Sequence, residues 1–221
     1  DDFGDFLSYD ENVTTETRTT LNRDRVVEAA VAYADTHGID DMSMRKLGAE
    51  LGVEAMSLYN HVDDKADLYN GMIDYVFGSI QLPDPGLEWK VQTRAIGKEA
   101  MEQFGNHSWV VFLLMQQGNT GPGSLQFMDR VVSIFLDAGF NENDTHHAWQ
   151  MLASHTMGYA FQSAVAPDSH EYAKLEPQLP QLAATFPNVA RIAPNLFNCA
   201  YDEEYLFGLE IIIDGLESRL R

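Results

Sequence analysis

The sequence predicts an all-α protein, and three observations carry that prediction. Apolar residues recur every three or four positions through most of the chain. No stretch sustains the period-two alternation of a half-buried strand, and glycine- and proline-bearing breaks cut the periodic runs into helix-sized pieces. With 221 residues, 45% of them hydrophobic, the chain is long enough to bury one or two cores.

Residues 1–20 are polar, acidic and aperiodic, and read as a disordered acidic tail. From Asn22 to His37 a helix is predicted, with Val26, Val27, Ala30, Val31 and Ala34 on one broad face and Gly38 as its stop. Ser43 suits the N-cap of a short helix carrying Met44, Leu47 and Leu51 on one face; Gly52 ends it, and a second helix spans Ala55 to His61. Two short helices about a Gly-Val turn make a helix-turn-helix, whose second helix enters the major groove of DNA; a hairpin used only for packing is the alternative. Asp63-Asp64-Lys65 opens another helix, in which Leu68, Met72, Val76 and Ile80 recur every four residues. Leu82-Pro83-Asp84-Pro85-Gly86 ends it, because proline lacks a donor and restricts its predecessor. A boundary at 81–86 thus separates a three-helix, helix-turn-helix domain over 21–80 from a second helical domain over 87–221.

In the second domain helices are expected near 87–105, 108–116, 124–138, 143–165 and 202–220. Five prolines between Ala166 and Ala200 predict an extended, mobile connection with one or two short helices. The last helix presents Tyr205, Leu209, Ile212, Ile213, Leu216 and Leu220 on one face, widened by Phe207 and Ile211 beyond what one packing surface needs. In the 143–165 helix, Ala148, Leu152, His155, Tyr159 and Gln162 share a face, and Ala153, Gly158 and Ala160 allow close approach. The pair suits either a monomer core or the four-helix interface of a homodimer.

The formal net charge of −20 opposes a DNA-binding role, since such proteins gain much of their affinity by neutralising phosphates. The first 17 residues hold six acids and no base, and residues 18–70 hold ten acids against six bases. Affinity must then come from local placement, with Arg45, Lys46 and Lys65 flanking the second helix of the motif. No apolar run of ~18 residues and no basic-then-apolar leader is visible, so the expectation is a soluble cytoplasmic protein without a membrane partner. Cys199 is the only cysteine, which excludes an intrachain disulfide and a thiolate metal cluster.

The run from Leu21 to Ile80, with AAVAYADTHGIDDMSMRKLGAELGV and then SLYNHVDDKADL, resembles the N-terminal domain of the TetR family of bacterial repressors. LDAGF at 136–140, HTMGYAF at 155–161 and YLFGLEIIIDGLESRL at 205–220 are similar to the C-terminal regulatory domain of the tetracycline repressor. The resemblance implies a homodimer with a C-terminal ligand-binding and dimerisation domain, in which a small-molecule effector releases operator DNA. Carried over by position, Ser43, Met44 and Arg45 begin the helix that approaches the DNA backbone. Ala55, Met56, Ser57, Tyr59, Asn60 and His61 occupy the recognition helix, and Lys65 stands where the family contacts a phosphate. Arg45 suits phosphate or guanine, Tyr59 and His61 suit phosphate oxygens, and Asn60 suits adenine; Ala55 and Met56 could at most touch a thymine methyl.

Ligand candidates in the second domain are Phe104, His107, Trp109, Phe112, Met115, Gln116, Phe127, Trp149, His155, Tyr159 and Gln162, a set that favours a bulky, rather hydrophobic effector. By position, Met115 and Gln162 replace a magnesium-binding histidine and a glutamate of the tetracycline repressor, so tetracycline–magnesium is not the expected effector. His146 and His147 point about 100° apart on a helix and cannot close on one metal, so no metal or cofactor is expected. An enzyme would need a nucleophile with a base or converging carboxylates, and no such motif appears. A protein or peptide effector docking on the acidic surface is the remaining alternative.

Overall fold

The computed structural model describes residues 20–117, 121–166, 176–197 and 200–220, and the regular elements within them are all helical. The acidic tail up to residue 19 and Cys199 lie outside the described residues.

Helix α1 (Arg23–His37) starts where the Asn22 side chain accepts the Arg25 amide, and stops at Gly38 with φ 80°. After a 3₁₀ turn (Ile39–Asp41), the Ser43 hydroxyl caps α2 (Met44–Glu50) by accepting the Lys46 amide. α3 is only Ala55–Leu58, shorter than the expected span to His61. Its N-cap, Glu54, makes no side-chain bond, and the Asn60 and His61 amides close on the Ser57 and Leu58 carbonyls, so the helix tightens after one turn. α4 (Lys65–Ser79) begins at Asp64, whose carboxylate accepts the Asp67 amide. Val26, Ala30, Leu47, Leu58, Leu68, Met72 and Ile73 are buried together between α1 and α4. α2 and α3 cross so closely that a Cβ on Gly48 would lie 2.8 Å from the Val53 carbonyl oxygen, which makes glycine part of the motif.

Arg23 clamps the start of α1 to the first turn of α4 by a bidentate bond to the Asp67 carboxylate at 2.6 and 2.7 Å. The guanidinium hydrogen bond holds the Asp67 pKa below the usual carboxylate value. A carboxylate depressed on folding adds stability above its unfolded pKa and loses it as pH falls through the lower, folded value. Both partners are partly exposed, so the pair is worth less than about 1 kcal/mol. Asp67→Asn is therefore expected to lower the melting temperature slightly at pH 7, a difference that shrinks as pH falls below the ordinary aspartate value and vanishes only below the depressed folded one.

The second domain contains α5 (Trp89–Asn106), α6 (Val110–Gln117), α7 (Pro122–Asp137), α8 (Glu142–Ala164), α9 (Leu179–Thr185), α10 (Pro187–Phe197) and α11 (Tyr201–Glu217). The described part of the 166–200 connection is largely helical rather than extended. Pro180 and Pro187 stand in first turns, where a missing amide has no intrahelical partner to lose, and only Pro194 lies inside a helix. The turn between α4 and α5 is stitched down. The buried Gln92 amide donates to the Leu87 carbonyl at 2.6 Å and to the Pro85 carbonyl at 3.3 Å, while Arg130 donates to the Gln92 side-chain oxygen and the Pro83 carbonyl.

The apolar core of the first domain does not stop at α4. It continues through Trp109, Val110, Val111 and Leu113 at the start of α6 to Phe104 and Ala160. A second core gathers Ile96, Phe127, Val131, Phe135, Phe140 and Leu216. On α11, Tyr205, Leu209 and Ile213 are buried against Leu152 and Tyr159 of α8 in the same chain. The α8 face singled out in the sequence thus packs within the chain except at exposed Gln162, while Met151, Phe207 and Ile211 face outward, 48%, 71% and 58% exposed.

Candidate functional site

The helix-turn-helix presents a compact outer surface. Met56, Tyr59 and Asn60 project from α3 and its following turn, Ser57 and His61 are half-buried beside them, and Ala55 sits at the tight α2 crossing. Leu58 points the other way and is fully buried. Ser43 is committed to its capping bond, and half-buried Met44 packs on the core.

The flanking cations differ. Lys46 is ion-paired with Asp41, whose carboxyl this bond and the Tyr33 hydroxyl hold below the usual range. Lys65 donates to the Met42 carbonyl at 3.1 Å and lies over the Tyr69 ring, which fixes its ammonium beside the motif. Arg45 is exposed and has no ion-pair partner among the described residues. Arg45 and Lys65 are the cations that this geometry offers to a phosphate backbone.

Behind the motif, α4, α5, α6, α7, α8 and α11 line a cavity of about 520 Å³ that opens to solvent on one side. Its wall is mainly apolar: Phe77, Ile96, Phe104, Leu125, Phe127, Met128, Val131, Trp149, Leu152 and Met157. Thr93, Ser124, Gln150, Thr156 and Tyr205 add polar groups, and no charged residue or histidine stands among the described lining. Room is left by Gly97, Ala100 and Ala153, and a Cβ on Gly97 would lie 2.7 Å from the Tyr205 hydroxyl. Burial pushes the Tyr205 pKa up to about 12, so the phenol is neutral at physiological pH.

Of the ligand candidates, Phe104, Phe127 and Trp149 line this cavity and the other eight do not. His107 and Trp109 turn toward α1 instead. Trp109 Nε1 donates to Asp35 Oδ1 at 2.7 Å, and His107 Nδ1 lies 2.8 Å from the same oxygen. Phe112 packs edge-on against Phe161, 5.7 Å between centroids. Met115, Gln116 and Gln162 are exposed. His155 stacks on the Tyr205 ring, donates its Nε2–H to the Tyr205 carbonyl at 2.9 Å, and meets Tyr159 edge-on. Sequence reasoning missed the small residues that make the space and the Tyr205–Thr156 pair; the Thr93-Gly97-Ala100 stripe on one helical face was the available signal.

α4 joins the two surfaces. Leu68, Met72, Ile73 and Val76 are in the core of the first domain, and the next residue, Phe77, is in the cavity wall, 5.7 Å from Phe104 and 5.3 Å from Phe127 between ring centroids. Asp74 also caps α7, accepting the Ser124 amide at 3.0 Å. No helix among the described residues is long and apolar enough to cross a membrane.

Comparison with known proteins gives the same two-part picture. Residues 26–72 match the model of "Bacterial regulatory proteins, tetR family", and residues 82–220 match "Tetracyclin repressor-like, C-terminal domain". The chain is 30% identical to the HTH-type transcriptional repressor DrrR1 of Streptomyces coeruleorubidus over 213 residues, 90% of this chain and 78% of that one. It is 25% identical to the class D tetracycline repressor protein of Escherichia coli over 209 residues, 90% and 91% of the two chains. ActR of Streptomyces coelicolor, a TetR family protein solved in complex with actinorhodin, superposes with a TM-score of 0.80 at 25% identity, covering 90% of this chain and 97% of that one. With a capped helix-turn-helix in front and family models matching both halves, the chain belongs to the TetR family of DNA-binding transcriptional regulators, which are not enzymes.

Proposed function

We propose that this TetR-family regulator is a cytoplasmic repressor that holds a palindromic operator as a homodimer and releases it when a neutral, largely apolar aromatic effector fills the cavity. The observation that carries the reading is the continuity of α4, which places Val76 in the motif's core and Phe77 in the cavity wall. A ligand that displaces Phe77 tilts the helix on which the motif rests. Operator and ligand then favour different separations of two recognition helices, which must lie about 34 Å apart to reach successive major grooves. The partner copy is met by the outward sides of α8 and α11, where Met151, Phe207 and Ile211 are exposed.

Arg45, Met56, Ser57, Tyr59, Asn60, His61 and Lys65 are the operator-facing set, with Ser43, Met44 and Ala55 supporting it. The effector class follows from the wall: rings and methionines favour a flat hydrophobic molecule, and a lining without carboxylate or imidazole offers nothing to a hard magnesium ion. Because the wall holds no cation to meet an acid, the first probe is a neutral tricyclic ketone, 9-fluorenone.

The test is selection of bound duplexes from a random pool, followed by competition with 9-fluorenone in the presence and absence of a chelator. The selected site is expected to be palindromic, and displacement to be unaffected by chelation. Arg45→Ala is expected to weaken binding to all sequences alike and to reduce the slope of log affinity against log salt by about one. Recovery of no preferred sequence would sink the reading.

A further inference from the structure

The cavity is mostly apolar, so the disposition of its few polar hydrogens decides what a ligand must offer. Thr93 spends its hydroxyl proton on the Trp89 carbonyl, at 2.8 Å, and Ser124 spends its own on the Gly121 carbonyl, at 3.0 Å. Gln150 is exposed and belongs to the solvent side. That leaves the Tyr205 and Thr156 hydroxyls, 3.1 Å apart, either of which can donate to the other. Two hydroxyls hold two protons, and one bond between them uses one. Whichever group donates, the other keeps an O–H with no protein acceptor among the described residues, and it does so in the wall of an apolar cavity. Tyr205 is held there firmly: its ring is stacked on His155, its carbonyl accepts from His155, and its hydroxyl fits only because Gly97 has no side chain.

We infer that the Tyr205–Thr156 hydroxyl pair is the polar recognition point of the cavity, and that it selects flat aromatic ligands bearing a carbonyl oxygen. The inference rests on the reading of this cavity as the effector site and specifies its chemistry. A ketone or quinone oxygen accepts the spare proton without carrying a charge into the apolar wall, whereas a carboxylate would lose its hydration there with no cation to meet it. An unsubstituted hydrocarbon of the same shape leaves the donor unsatisfied and forfeits that selectivity.

The probes are 9-fluorenone and fluorene, tricyclic molecules that differ by one carbonyl, titrated into the full chain and followed by calorimetry and by quenching of tryptophan fluorescence. Fluorenone is expected to bind the wild-type protein more tightly than fluorene. The double variant Tyr205→Phe/Thr156→Val, which removes both protons, is expected to weaken fluorenone about tenfold, the loss of one neutral hydrogen bond, while changing fluorene less than twofold. Thr156→Val and Tyr205→Phe singly each leave one spare O–H in the wall, so each should keep more of the preference for fluorenone than the double variant does. A purely structural role for the pair would move both probes together. If both probes bind and their ratio is the same in wild type and variants, the hydroxyl assignment falls and the cavity reading stands. If neither binds the wild-type protein, both fall.

Discussion

Leu58→Ala is expected to lower folding stability by about 3 kcal/mol and to abolish detectable operator binding at temperatures where the rest of the chain is still folded. Leu58 is fully buried, and it is the buried side chain of a helix only four residues long. α3 has no side-chain N-cap and is far below the length at which a helix is stable in water, so its packing into the α1–α4 core holds it in place. Removing the isobutyl group leaves a cavity beneath the recognition surface and little to fix the orientation of Met56, Tyr59 and Asn60. Hydrogen exchange gives the sharpest check. The amides of His61 and Val62, both bonded to the Leu58 carbonyl, should lose protection well before those of Met72 and Ile73.

The second large effect concerns the effector. Ala153→Trp is expected to leave operator affinity within about twofold while weakening effector binding at least a hundredfold, which corresponds to losing about 3 kcal/mol. Ala153 lies in the cavity wall on α8, beside Trp149 and Met157 and away from the helix-turn-helix. An indole in place of a methyl group occupies much of the space that a ligand would take in a cavity of about 520 Å³. The expected phenotype is a repressor that no longer responds. Parallel gel-shift and calorimetric titrations with 9-fluorenone would measure both quantities on one preparation.

Local structure was largely legible from residue types. Asn22, Ser43 and Asp64 cap helices because short polar side chains reach the first-turn amides, and Gly38 and Gly52 end them because each adopts a positive φ. In the 166–200 stretch the one or two short helices expected are found as α9 and α10, but their extent is underestimated when proline is weighed as a breaker without regard to its place in the first turn. The cavity was harder to see. Aromatic and methionine residues mark burial, but a ligand site is a void, and a void arises where several helices meet around side chains too small to fill it. Trp109 illustrates the difference. Its ring and N–H suit a ligand contact, yet Asp35, 74 residues earlier in the chain, takes that N–H. Nothing in the local sequence records a partner so distant.

The apolar core that runs from α1–α4 into Trp109, Val110, Val111 and Leu113 bears on how such regulators can be recombined. The Pro-rich break at 82–86 looks like a seam at which one reading head could be exchanged for another. A splice there would cut across packed hydrophobic surface, because the start of α6 closes the underside of the DNA-reading domain. A transplanted head would meet a foreign α6 and a missing acceptor for Trp109. The module that can change hands therefore comprises the first four helices and the 107–113 segment, two stretches of chain that are separate in sequence and packed as one surface.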